Sequence, residues 1–289
     1  MAIQENRASG AKLINFVPLL GGMYVMNDKN TKLIQQARSH AEAKQTDGFQ
    51  GLGNDTPSGK ALAFLKDNGV NSVRLNGTLS GVVYKEVPIE GKTEIIKKAL
   101  VTLSDKGEDG ENEHYVLSLN LASTATQMLL RKLENVKPGS EISVNMFGSY
   151  DRNEDKESQY YGQSFSNYGA MVKLGKSFTD KDAEVKGSET RTEEIKKLVD
   201  TTRAALANAG ITDKGTIGQA VSQKRQEYHV ALTQELEQRF KNILGDSPVP
   251  EDLTEPGVDQ IEEHFEVQDL VGSEQNAGEV RTAQQRMRA

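Results

Sequence analysis

Residues 116–152, VLSLNLASTATQMLLRKLENVKPGSEISVNMFGSYDR, change their hydrophobic period twice. At the start, Leu117, Leu119 and Leu121 alternate with Val116, Ser118 and Asn120, the period of two that sets every second side chain on one face of a strand. From Ser123, which has N-cap chemistry, the apolar positions move to Ala125, Leu129, Leu133 and Val136, a stripe along one side of a helix. Pro138 and Gly139 end that helix. Alternation then returns through Ile142, Val144 and Met146.

Working outward, NSVRLNGTLSGVVYKEV (71–87) sets Val73, Leu75 and Leu79 against Arg74, Asn76 and Thr78, with Gly77 and Gly81 where a long strand can bend. KKALVTLSD (97–105) alternates Ala99, Val101 and Leu103 with Lys98, Leu100 and Thr102, and KGEDGEN is a turn by composition. After a polar loop, NYGAMVKLGKSF (167–178) places Tyr168, Ala170, Val172 and Leu174 on one face. Residues 73–178 therefore read as three strands, a helix and two strands, the order of a five-stranded OB-fold barrel.

The stretch 116–152 and the strand after it, about a third of the chain, resemble phage-encoded single-stranded DNA-binding proteins with one OB domain. The likeness lies in strand, helix, PG turn, and a strand that ends in an aromatic and basic loop. The resemblance implies a non-catalytic protein that coats single strands in phage replication or recombination, in the cytoplasm of the host cell. It also implies partner recruitment, of replication or transcription proteins, through an acidic tail.

Composition narrows the chemistry. The 289 residues contain no Cys, which removes disulfides, thiolate metal sites and cysteine nucleophiles, and no Trp, which leaves base stacking to Tyr and Phe. No apolar run approaches the ~20 residues that span a bilayer, and the N-terminus lacks the pattern of a signal peptide. The net charge of −7 is uneven. Residues 246–279 hold eleven Asp and Glu and no Lys or Arg, the last ten residues add three Arg, and residues 1–245 come to +1. An acidic tail with a basic end thus follows a nearly neutral body.

Seven of the sixteen aromatics, Phe147, Tyr150, Tyr160, Tyr161, Phe165, Tyr168 and Phe178, fall within 32 residues. Tyr150, Tyr160 and Tyr161 lie among polar residues, where rings can stack on bases at ~1–3 kcal/mol per base; Tyr168 and Phe178 read as core. Alternation turns Arg74 and Lys98 outward, and Arg152 and Lys156 follow the fourth strand; with Lys173 they form the candidate phosphate contacts. The expected nucleic-acid site is thus Arg74, Lys98, Phe147, Tyr150, Arg152, Lys156, Tyr160, Tyr161 and Lys173.

Nothing in the pattern points to an enzyme, a cofactor or a metal. His40, His114, His229 and His264 have no metal spacing, and GLGNDTPSGKA (51–61) misses a P-loop by one residue and by Ala61 in place of Ser or Thr. That segment reads as a flexible loop entering a short helix.

Residues 1–72 read as an N-terminal extension packing on the barrel, with helical patterns near 28–44 and 57–67 and with LINFVPLLGGMYVM (13–26) as a buried strand or loop. Residues 190–245 hold two helices. The second carries an apolar stripe from Ile217 to Ile243 that can lie on the barrel, pair with the preceding helix or mediate self-association. Residues 246–289 form the acidic tail, flexible by composition. A virion structural or assembly protein built on a small β-barrel is the competing reading.

Overall fold

The computed structural model describes residues 11–44, 47–88, 95–106, 112–154, 156, 161–178 and 183–245. The 246–289 tail, Tyr160 and the 107–111 turn lie outside the described residues.

One mixed sheet of seven strands, ordered β2-β1-β5-β4-β3-β6-β7, curls into a half-barrel and carries five α-helices. The strands are β1 (Lys12–Val17), β2 (Gly22–Met26), β3 (Leu75–Pro88), β4 (Ile95–Lys106), β5 (Asn112–Asn120), β6 (Glu141–Arg152) and β7 (Ser164–Leu174). The helices are α1 (Asp28–His40), α2 (Pro57–Asp67), α3 (Thr124–Leu133), α4 (Glu189–Asn208) and α5 (Lys214–Leu244).

β3 organises the sheet. Residues Leu75–Thr78 pair with β6 and residues Thr78–Pro88 pair with β4, with a register shift between Leu79 and Gly81. One strand can serve two partners because it bends there, and Gly77 makes the bend possible. A Cβ on Gly77 would come within 2.9 Å of the Ser104 carbonyl oxygen.

The five strands β3 to β7 follow the expected order, but the sheet is not a five-stranded barrel. Closing it would require β7 to pair with β5, and β1 occupies that edge of β5 instead, running parallel from Lys12↔Tyr115 to Asn15↔Ser118. β2 then pairs with β1, and an isolated bridge joins Met23 to Val73. The N-terminal segment thus supplies two strands of the sheet as well as packing on it. The reason is local: an unpaired β5 would expose a row of backbone donors and acceptors, and the apolar strand around Ile14 satisfies them. The curl brings the sheet's ends together, with the Gly148 N–H donating to the Gly21 carbonyl at 3.0 Å and the Phe16 and Tyr168 rings edge to face at 5.7 Å.

The core inside the curl takes Ile14, Leu79, Val101, Leu117, Val144 and Val172 from the strands and Ala125, Leu129 and Leu133 from α3. Each such Val, Leu or Ile side chain contributes about 1.5–3 kcal/mol when fully buried. Helix α3 ends at Leu133, before the Pro138–Gly139 stop that the sequence predicts, and Val136 reaches the core from the turn that follows; the Gly139 N–H donates to the Leu79 carbonyl at 2.9 Å. Ser123 occupies the N-cap position, but its hydroxyl makes no capping bond. A second core under α1 and α2 gathers Leu20, Tyr24, Ile34, Ala61 and Leu65.

Helix α5 does two of the three things its stripe allows. Its first half pairs with α4 through Val221, Ile195 and Val199, and its second half lays Leu232, Leu236 and Phe240 on the main core. Arg239 fastens it to the end of α3, its guanidinium donating to the Leu133, Glu134 and Val136 carbonyls at 3.0, 2.7 and 3.0 Å. Such carbonyls lack intrahelical partners, so a cation there is favourable.

His229 lies fully buried on α5. Its Nδ1–H donates to the Arg225 carbonyl at 2.7 Å, and burial, helped by the nearby Arg131 and Arg225 charges, pushes its pKa from 6.5 down to about 3.

Two expectations follow. Gly77→Ala forces the β3 bend against the Ser104 backbone and lowers stability by about 1–3 kcal/mol, as urea denaturation will read. Between pH 6.5 and about 3 the unfolded chain binds a proton at His229 that the folded chain refuses. The His229 contribution therefore lowers stability as pH falls through that window, by up to ~1.4 kcal/mol per unit, and is constant above it. His229→Asn removes that component of the slope in denaturation series run across pH.

Candidate nucleic-acid interface

The predicted site residues gather mainly on the β6–β7 hairpin, whose register runs from Ile142↔Leu174 to Arg152↔Ser164. Alternation along it separates them. Ser143, Asn145, Phe147, Ser149 and Asp151 face one way, while Met146, Gly148, Tyr150 and Arg152 face the other, toward the inside of the curl. Phe147 and Tyr150, neighbours in sequence, therefore stand on opposite faces.

Phe147 belongs to a cleft of about 450 Å³ that opens where β6 runs beyond the start of β3. Gly21, Gly22 and Met23 form one wall, Ser72 and Arg74 the second, and Asn145, Met146 and Phe147 the third. The Phe147 ring lies over its cross-strand partner Gly169, where an added Cβ would meet it at 2.6 Å. Arg74 is exposed, and its guanidinium sits over the Phe178 ring at 5.3 Å from the centroid. That contact holds the cation in place without neutralising it. Arg74 and Phe147, 73 positions apart in the chain, thus meet in one cleft.

At the hairpin tip, Tyr150 and Tyr161 are 43% and 54% exposed, so their rings are available to a ligand. Tyr150 lies past the end of the core, where the curl opens. Arg152 is exposed and donates from Nε to the Gly162 carbonyl at 3.1 Å, which ties the strand to the turn that carries Tyr161. Lys156 is exposed as well. Acids balance this region: Asp151 accepts from the Ser149 hydroxyl at 2.7 Å and from Asn167 Nδ2 at 3.2 Å, and Glu154 is exposed. Among the described residues of the tip, the cations Arg152 and Lys156 are offset by Asp151 and Glu154.

Two expected contacts are placed elsewhere. Lys98 is buried on β4, with Nζ donating to the Ser118 hydroxyl at 3.1 Å. Alternation turned it outward, but both faces of β4 are covered from Lys98 to Leu103, so the outward face is not solvent. Lys173 is also buried and donates to the Phe178 carbonyl at 2.6 Å. Its ammonium holds the segment whose ring supports Arg74, a structural task and not a phosphate contact. Tyr168, read as core, packs partly into the core and accepts the Phe49 N–H on its hydroxyl at 3.0 Å.

The sequence reading missed the loop around Phe49, which packs between the β1–β2 turn and β6. Phe49 is buried against Gly21 and Gly148, whose added Cβ atoms would approach its ring atoms within 2.8 and 3.0 Å. The signal was present in the glycines at 21, 48, 51, 53 and 148, which permit such close backbone approach.

No family model, curated protein or solved structure matches the chain. Among the described residues no helix is long and apolar enough to cross a membrane, and no group of three or more His, Asp or Glu is placed to hold a metal ion.

The different burial of the candidate lysines is measurable. Lys173→Met leaves the Phe178 carbonyl without its donor and costs about 1–3 kcal/mol of stability. Lys156→Met at the exposed tip stays within about 0.5 kcal/mol of the parent, both read by urea denaturation.

Proposed function

We propose that this chain is a non-catalytic single-stranded DNA-binding protein that holds strands by stacking bases on the β6–β7 hairpin. The observation that carries the reading is the pair of exposed rings, Tyr150 and Tyr161, beside the exposed Arg152 at the open mouth of the half-barrel. Water-exposed tyrosines offer flat apolar faces, and every base has a π-face to meet them. The Arg74–Phe147 cleft supplies a second contact further along the same strand, where a phosphate meets the guanidinium and a base meets the ring.

The strand pattern supports reading β3 to β7 as an OB-like unit. β3 is hydrogen-bonded to both β4 and β6, and α3, which follows β5 and precedes β6 in the chain, packs against β7 and gives Ala125, Leu129 and Leu133 to the core. In this reading β1 takes the place that a closing pair between β5 and β7 would hold. We extend the proposal to phage replication or recombination in the host cytoplasm, with the 246–289 tail recruiting replication or transcription proteins by its charge.

With few phosphate contacts in view, stacking must supply most of the affinity. Replacing Tyr150 and Tyr161 together by Ala lowers oligothymidylate affinity by ~1–3 kcal/mol for each base that loses its ring, and the exposed positions keep the fold intact. Arg74→Ala and Arg152→Ala each make the slope of log affinity against log salt shallower by about one contact. Fluorescence anisotropy with single- and double-stranded oligonucleotides checks both. Unchanged affinity in the folded double variant removes the hairpin tip from the site, and absence of any single-strand binding overturns the function.

A further inference from the structure

Leu52 is 71% exposed, more than any other large apolar side chain among the described residues. A single exposed leucine is ordinary on a protein surface. Leu52 differs because the backbone on both sides of it is tied down. The Thr56 hydroxyl lies 3.2 Å from the Gly51 carbonyl oxygen and 2.8 Å from that of Gly53, and the Thr56 N–H donates to the Gly53 carbonyl at 3.0 Å. The Gly53 carbonyl is packed so closely that a Cβ on Gly59 would overlap it at 1.9 Å.

The loop is fixed from its other end too. The Gln50 N–H donates to the Ser58 hydroxyl at 2.9 Å, the Ser166 hydroxyl donates to the Phe49 carbonyl at 2.8 Å, and Phe49 is buried. These bonds hold the segment as a platform, and it leads into helix α2, the short helix that the composition predicts.

The platform stands against the proposed site. Gly51, at φ +85°, a backbone conformation that favours glycine, lies beside Tyr150, with its added Cβ 3.9 Å from the tyrosine Cβ and Cδ1. An apolar side chain held in water one residue beyond the Gly51 backbone that meets Tyr150, with a cation two residues along the strand at Arg152, suits a flat apolar ligand that carries negative charge. A nucleotide within a strand has that chemistry.

We propose that Leu52 is part of the single-strand interface, where it packs on the nucleobase stacked against Tyr150. The N-terminal segment would then supply one wall of the site and β6 the other. This inference rests on the single-strand reading above. Apolar side chains pack against exposed base faces in the same way where proteins insert wedges between base steps. Because the platform is pre-ordered, little conformational freedom is lost on binding.

Fluorescence anisotropy with a labelled oligothymidylate tests it on the full chain. Leu52→Ala is expected to weaken binding about tenfold, within the range for losing one stacking partner, with an unchanged salt slope because no phosphate contact is removed. Thermal unfolding is expected to be unchanged, since the side chain is exposed. In a Tyr150→Ala background, Leu52→Ala is expected to add less than about a twofold loss, because the two side chains hold the same base and their effects do not add. Wild-type affinity in folded Leu52→Ala overturns the inference, and so does a full tenfold loss in the Tyr150→Ala background. Both results leave single-strand binding intact, whereas a parent protein that binds no single strands overturns the function itself and this inference with it.

Discussion

The bend in β3 is the constraint on which the other elements depend. Its first four residues pair with β6 and the rest with β4, so a single strand turns the sheet through the curl that encloses the core. Only a residue without a side chain fits where Gly77 crosses the Ser104 carbonyl. From that bend follow the offset of β6 beyond β3, the gap that becomes the Arg74–Phe147 cleft, and the open mouth at Tyr150. The cleft is what remains when one strand parts from its neighbour and the β1–β2 turn approaches without filling the space.

The helical segment contributes rigidity more than chemistry. Arg239 ends α3, Arg191 links α4 to Glu134 at 2.8 Å, and His229 stays neutral under burial. These groups form a polar layer between helices that is costly to disturb, because a buried polar group left without its partner loses its hydration and gains nothing. The proposed interface lies on the hairpin and the loop platform, supported by this frame.

At the proposed interface, exposed rings outweigh exposed charge. Acids at the tip offset Arg152 and Lys156, and Lys98 and Lys173 are taken up inside the fold. That leaves Arg74 and Arg152 as the exposed cations best placed beside rings. A binder built this way depends on salt less steeply than one lined with lysines.

Local periodicity made the elements legible. The strands from 75 to 174, helix α3 and the two C-terminal helices all follow from apolar residues recurring at two or at three and four, since each of those elements turns an apolar side to a core. The exposed tyrosines were legible for a related reason, as rings set among polar residues. What alternation could not show is which strands pair. β1 and β5 are about a hundred residues apart, and only backbone hydrogen bonding across the fold joins them and keeps the sheet from closing as five strands. Nor could it show that β4 is buried on both faces, so that Lys98 turns outward from the core and still meets protein. The sequence by itself determined the order and type of the elements, because those depend on neighbours along the chain. The tertiary structure alone decided the seven-stranded topology, the meeting of Arg74 with Phe147 and Phe178, and the placing of the Gly51 backbone beside Tyr150, because those depend on contacts between residues that the chain keeps far apart.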